Sequence, residues 1–289
     1  MKRVIIGLLI IFGVLLSDDF ITLEPYSTFD SGMIDESSGI SKSRNFENIY
    51  WTLNDSGDEA RIFAVDRKGT LCIPSWMESR EKYKGLEISD AVNIDWEDIT
   101  TDNEGNIYIA ACGNNGNTRR DLAIYVVKEP NPKNVTATRI SRQINFYYPE
   151  QKEFPPINNN FDCEAIYYRE GNIYLLTKHR ADLNTVLYRI DLSDKRDLIP
   201  AKKLAEFNIE GNVTAADCSS DGSRVAVLTY NNVWVFDTDG ENIFKGKKRF
   251  LRISGKQCEG ITFDTNERLI ITNEQKDLYE LDIDRMNTR

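Results

Sequence analysis

Histidine is almost missing from this sequence: His179 alone stands among 289 residues. A Ser-His-Asp triad would have to be built around that one imidazole, and no G-x-S-x-G elbow accompanies it. With Lys178 and Arg180 beside it, His179 reads as a solvated loop residue. Cysteine is sparse and scattered. Cys72, Cys112, Cys163, Cys218 and Cys258 show no C-x-x-C or zinc spacing, and an odd number cannot all pair. They read as small buried apolar residues. No phosphate loop or dinucleotide fingerprint occurs. Positive charge is in deficit, 36 Lys and Arg against 46 Asp and Glu, a net −10. That balance argues against nucleic acid or an anionic membrane as the main partner and suits an oxygen-ligated cation.

A membrane-length apolar run is also missing. Val4–Leu16 falls short of the roughly 20 residues a span requires. It follows Lys2-Arg3 and precedes Ser17-Asp18-Asp19, the pattern of a secretory signal. Residues 1–17 are therefore expected to be a signal peptide, with an uncleaved anchor as the alternative and no other membrane span. Residues 18–289 are expected to form one exported domain: periplasmic, cell-surface or secreted.

What is present is a repeat. Ser37-Ser38-Gly39-Ile40, Trp96-Glu97-Asp98-Ile99, Cys163-Glu164-Ala165-Ile166 and Cys258-Glu259-Gly260-Ile261 share one pattern, with Ala215-Ala216-Asp217-Cys218 as a weaker copy. A turn and a second apolar strand follow each anchor, as in 49–57, 106–116, 172–180, 224–232 and 268–276. Asn103-Glu104-Gly105, Glu170-Gly171-Asn172 and Asp221-Gly222 are hairpin signals. Third strands follow, and fourth strands fit 70–76, 137–149, 200–209 and 247–254. Units of four strands without an amphipathic helix predict an all-β propeller. The anchors recur at intervals that leave no room for two blades of about 40–50 residues. Five blades are expected, and six would require a blade without an anchor. The last unit ends after three strands, so Phe20–Phe29 is expected to supply its outer strand and close the ring.

First strands line a propeller's channel, so Glu97, Glu164, Asp217 and Glu259 should form a ring, completed by Ser38. Carboxylates crowded on one axis repel unless protonated or neutralised. Calcium takes about 6–8 oxygen ligands in flexible geometry and would suit such a ring. Alternatively, the same acids cap strand starts. The loops after the second strands should open on the same face, offering Asn54, Asp55, Asn114, Asn115, Lys178, Asn273 and Glu274 to a ligand. Those residue types are also ordinary turn formers. Arg119 and Arg120, with Lys178, could hold an anion or simply be solvated.

At these anchors, and at Asp162 and Val213-Thr214, the sequence resembles the SdiA-regulated family of bacterial propellers, distantly related to NHL-repeat and esterase-like phytase propellers. Trp51–Gly57 and Gly113–Arg119 also resemble the W-x-x-N-D-S-G and G-N-N-x-N-x-R segments of a group of secreted bacterial propellers. The resemblance implies five blades with calcium near the channel, its candidate ligands being Glu97, Glu164, Asp217 and Glu259. Ala110-Ala111-Cys112 departs from the Gly-Asp-Phe often found there in relatives. The expected function is a calcium-binding extracytoplasmic propeller that binds a small ligand or a protein on its loop-rich face. The alternatives are a metal-dependent hydrolase of esters or phosphoesters, and a metal-free interaction scaffold.

Overall fold

The computed structural model describes residues 20–77 and 79–289. The expected signal segment lies outside the described residues. Five sheets are arranged as the blades of a β-propeller. From the axis outward, blade 1 runs Ser37–Lys42, Tyr50–Asn54, Arg61–Val65 and Leu86–Ile88. Blade 2 runs Ile99–Thr101, Asn106–Ala111, Ala123–Lys128 and Ile140–Tyr147. Blade 3 runs Asp162–Arg169, Asn172–Lys178, Asn184–Asp191 and Lys202–Asn208. Blade 4 runs Val213–Cys218, Arg224–Thr229, Asn232–Asp237 and Lys248–Ser254. Blade 5 runs Cys258–Thr265, Arg268–Asn273 and Asp277–Asp282, with Ser27–Thr28 outermost. The first strands neighbour one another around the ring, and blade 5 returns to blade 1.

Burial explains the sequence pattern. Second strands such as Arg224–Thr229 are covered on both faces and read as nearly continuous apolar runs. Outer strands such as Ile140–Tyr147 alternate, because one face meets water. The hairpins need left-handed backbone, and Glu170 (φ 50°) with Gly171 (φ 75°) supplies it in blade 3. Apolar layers fill the gaps between blades. Tyr167 stacks on Tyr174 at 4.9 Å, in the layer that also holds Trp234, Phe236 and Phe250. Each such fully buried side chain contributes about 1.5–3 kcal/mol.

Two expectations need correction. The fourth strand of blade 1 is Leu86–Ile88 rather than 70–76. After the Asp66–Gly69 turn only Leu71 bridges back, to Val65. Pro74 then offers no N–H to a ladder, so the chain makes an excursion before it pairs. Closure is also shared between two blades. Ser27–Thr28 pairs antiparallel with the third strand of blade 5, as expected, but Phe20–Thr22 runs parallel to Lys248–Ser254 of blade 4. Asn287–Thr288 pairs with that same blade 4 strand. Both described ends of the chain are thus fastened to blade 4.

The axis is held by one residue. The ladder between first and second strands breaks between Ser37 and Gly39, Cys163 and Ala165, Val213 and Ala215, and Cys258 and Gly260. A β-bulge therefore carries Ser38, Glu164, Thr214 and Glu259. In blade 2, Ala110 accepts from Glu97 N–H and donates to the Asp98 carbonyl, which puts Glu97 in the same place. The residue after the bulge is small in four blades: Gly39, Ala165, Ala215 and Gly260. In blade 2 it is Asp98, fully buried. Its Oδ1 accepts from Ile99 N–H at 2.8 Å. Its Oδ2 accepts from Ile166 N–H at 2.9 Å and from Ala216 N–H at 3.3 Å, reaching across the axis to blades 3 and 4. A Cβ on Gly39 would lie 2.8 Å from Asp98 Oδ1, so blade 1 can approach only as glycine.

Asp98→Asn would turn an amide N–H₂ toward a backbone donor and should cost about 1–3 kcal/mol. Asp98→Ala, which orphans N–H groups of three blades, should cost about 3 kcal/mol or more. Urea unfolding of both variants against wild type checks this; losses below about 0.5 kcal/mol would mean that Asp98 is not the tie.

Candidate functional site at the channel mouth

The first strands enter the channel at one end, and in four blades the residue at the bulge position turns its side chain toward that mouth. A cavity of about 200 Å³ opens there. Ser38, Glu97, Glu164 and Glu259 line it from the bulges. Asp55, Asn115 and Glu274 line it from the loops after the second strands, and Lys178 from the end of the second strand of blade 3. Glu36, Gln257, Arg180 and Tyr230 complete the wall.

The charges fall into two unequal parts. On the blade 3 side each acid has a cation. Lys178 Nζ lies 2.9 Å from Glu164 Oε2, and Arg180 lies 2.9 Å from Asp162 and 3.8 Å from Glu164. Arg180 also donates to Asn115, and Lys178 lies over the Tyr230 ring at 5.1 Å. Burial pulls the Lys178 ammonium down, but Glu164 and Tyr230 together more than offset this and hold it above its ordinary range. On the blade 1–2 side the acids gather without such partners among the described residues. Asp55, Asp95 and Glu97 each present a carboxylate oxygen, all within 4.8 Å of one another. Gly113 permits this crowding, since a Cβ there would meet Glu97 Oε1 and the Asp95 carboxylate. Three oxygens at that separation form a geometry suited to a metal ion.

The carboxyls respond as crowded, buried acids do. Burial, then Glu164 and Asp55, push Glu97 well above the usual carboxylate range. Burial and Asp55 push Asp95 up to about 6. Burial raises Glu259 to about 8, with Glu274 adding to the rise and Lys178 opposing it. Glu274 is raised by burial and by Glu36.

The expected ring changes in blade 4. Thr214, not Asp217, occupies the bulge there, and its Oγ1 donates to the Cys258 carbonyl at 2.9 Å. Asp217 sits three residues further along the strand. Its Oδ2 accepts from Thr262 Oγ1 and Phe263 N–H, both at 2.8 Å. Ala215-Ala216-Asp217 imitates the repeat by composition while its register is shifted. Among the expected loop residues, Asn54, Asn114 and Asn273 turn inward to bind their own loops. Asn54 donates to the Asp58 carboxylate, Asn114 accepts from Arg119 N–H, and Asn273 accepts from Asp277 N–H. His179 is buried rather than solvated, with Nδ1 2.9 Å from Asp182. Arg119 donates to the Gly113 carbonyl, and Arg120 lies 3.8 Å over the Phe154 ring; neither lines the mouth.

Asp95 and Asp162 were not among the expected site residues, although Asp162 stands in a motif that carries the resemblance. Their signal is a polar residue two places before each bulge: Glu36, Asp95, Asp162, Asn212 and Gln257. The pattern is visible only once the bulges fix the register.

The structure is similar to that of the aldose sugar dehydrogenase from Streptomyces coelicolor, solved in its PQQ-bound form. The two share 11% sequence identity at a TM-score of 0.48, over 90% of this chain and 98% of that one. No family model and no curated protein sequence matches the chain, so the likeness to the SdiA-regulated family rests on the motifs quoted above.

Raised carboxyls fix the sign of a pH effect. Glu259 moves from 4.5 to about 8 on folding, so the folded chain binds more protons than the unfolded one between those values. This contribution to stability is complete below the unfolded pKa and is lost as pH rises toward about 8. Without divalent cation, Glu259→Gln should flatten the fall in Tm between pH 4.5 and 8 relative to wild type. Parallel curves for the two proteins would show that Glu259 ionises freely at the mouth.

Proposed function

We propose that this protein is an extracytoplasmic propeller that binds calcium at its channel mouth and, through it, a small ligand or a protein partner. The observation that carries the reading is the convergence of Asp55, Asp95 and Glu97 on one point beside an open cavity. A cation there would take the place of the protons that the raised pKa values of Asp95 and Glu97 favour. Calcium suits the arrangement because its coordination is large and flexible, so that ligand oxygens and water can complete it. Glu259 and Glu274 stand across the mouth, where they would select against an incoming anion that lacks the cation's help. Lys178 and Arg180 are committed to Glu164 and Asp162 and would bound the site rather than bind.

A second reading, hydrolysis of an ester or phosphoester, has one observation in its favour. Glu259, titrating at about 8, is in the range where a carboxylate serves as a general base near neutral pH. Assays with carboxylester and phosphoester substrates, with and without calcium, separate catalysis from binding.

Calcium at a hundredfold excess over Kd should stabilise the fold by about 2.7 kcal/mol, a rise in Tm of roughly 5–10 °C. Asp95→Asn and Glu97→Gln should hold their Tm in chelator, because each relieves repulsion, yet gain less than half the calcium shift. Magnesium at equal concentration should give a smaller rise. An undiminished shift in both variants would place the cation elsewhere, and no shift in wild type would leave the scaffold reading.

A further inference from the structure

Behind the wall of the mouth lies a pair of thiols. Cys112 follows the second strand of blade 2, and Cys163 is the second residue of the first strand of blade 3. Their Sγ atoms are 2.8 Å apart, and both side chains are fully buried. Both are free thiols. They share an apolar layer with Tyr148, whose buried hydroxyl has no hydrogen-bond partner among the described residues. The pair is also close to the site by sequence: Cys112 precedes Gly113, over which Glu97 and Asp95 pack, and Cys163 stands between Asp162 and Glu164.

We propose that Cys112 and Cys163 are a disulfide site that fastens blade 2 to blade 3 beneath the mouth. Bonded sulfurs lie about 2.05 Å apart, so the pair needs a movement of under about 1 Å to close. The reaction takes a disulfide donor, a small disulfide or an oxidised thiol–disulfide exchange protein. One cysteine thiolate attacks a donor sulfur and expels a thiolate; the second then displaces the donor's remaining sulfur. Two protons and two electrons leave the pair, and the donor departs as two thiols. Expected export would bring the chain to a compartment where such donors act. Burial raises the Cys112 thiol well above its ordinary range, which holds back the thiolate in the closed fold. Bond formation therefore belongs to folding, before the layer around Tyr148 closes. The bridge encloses a 51-residue separation that contains the third and fourth strands of blade 2, so it restricts the unfolded chain strongly.

The test is refolding of the full chain in glutathione buffers of oxidising and reducing composition. Thiols are counted after denaturation, followed by peptide mapping by mass. Oxidised wild type should show three thiols in place of five, a loss of two mass units, and one linked peptide pair joining Cys112 to Cys163. Its Tm should exceed that of the reduced protein by roughly 5–10 °C. Cys72→Ser, remote from the pair, should behave as wild type, while Cys112→Ser should keep its remaining thiols free. Mapping on wild type does not depend on whether Cys112→Ser folds. Five thiols after oxidative refolding, a bridge between other cysteines, or an unchanged Tm in the bridged protein would each overturn the proposal.

Discussion

The five blades meet around a single carboxylate. First strands in a propeller pack side by side without sharing a ladder, so something other than sheet hydrogen bonding must set their spacing. Asp98 does this by accepting N–H groups from its own blade, from the adjacent blade 3 and from blade 4 across the axis. Burying a carboxylate is costly, and burial does push Asp98 well above its ordinary range. Three directed donors, the N–H groups of Ile166, Ile99 and Ala216, oppose that cost by favouring the carboxylate. The price of this arrangement appears in the sequence of the other blades. Gly39, Ala165, Ala215 and Gly260 stand at the matching positions; Gly39 has no room for a Cβ against Asp98, and Gly260 has none against Thr272 and Ile40.

The bulge just before that position has the opposite consequence. An extra residue in the first strand cannot point into the ladder, so it is aimed out of the mouth. Three of the five bulged residues are glutamates, and a polar residue two places earlier adds Glu36, Asp95 and Asp162 to the same rim. Structural tie and acidic mouth are therefore successive residues of one motif, Trp96-Glu97-Asp98. The inward residue is held by backbone donors and the outward one is left among like charges.

Much of this fold was legible because its signals are local. Hairpin turns such as Glu170-Gly171 and apolar second strands such as Arg224–Thr229 reveal blade count and strand order directly. The blade 1 excursion was hidden because residues 70–76 have strand composition, while Pro74 decides the matter through a missing N–H. Phe20–Thr22 could not be assigned to blade 4 because a parallel edge pairing leaves no turn in the sequence. The site was legible in part for a related reason. Glu97, Glu164 and Glu259 stand in well-preserved anchors, but in blade 4 the bulge slot is filled by Thr214 and an acid happens to follow three residues later. Periodicity can identify a first strand; it cannot say which residue the backbone bulges out. Asn54, Asn114 and Asn273 illustrate the other ambiguity, since an asparagine that closes its own loop looks the same in sequence as one offered to a ligand.

The far end of the channel shows what the mouth could have been. Asp264, near the end of the first strand of blade 5, is also partly buried and also meets another blade. There Tyr50 donates to it at 2.6 Å, Lys42 lies at 3.1 Å and Arg67 at 3.0 Å, all from blade 1 or the turn after its third strand. Burial alone would raise Asp264, but Tyr50, Lys42 and Arg67 hold it below its ordinary value. Across the same pair of blades, then, one end carries an acid fully supplied with donors, and the other carries Asp55, Glu36 and Glu274 with their neighbours Asp95 and Glu97. A need for acids merely to cap strands or join blades would be met at both ends by the solution seen at Asp264. At the mouth the carboxyls of Asp95, Glu97 and Glu274 instead stay crowded and raised, at a cost in stability that the inter-blade layers and the doubly fastened blade 4 can bear. Under the function proposed above, a cation rather than the protein's own side chains would complete the charge balance of such a surface.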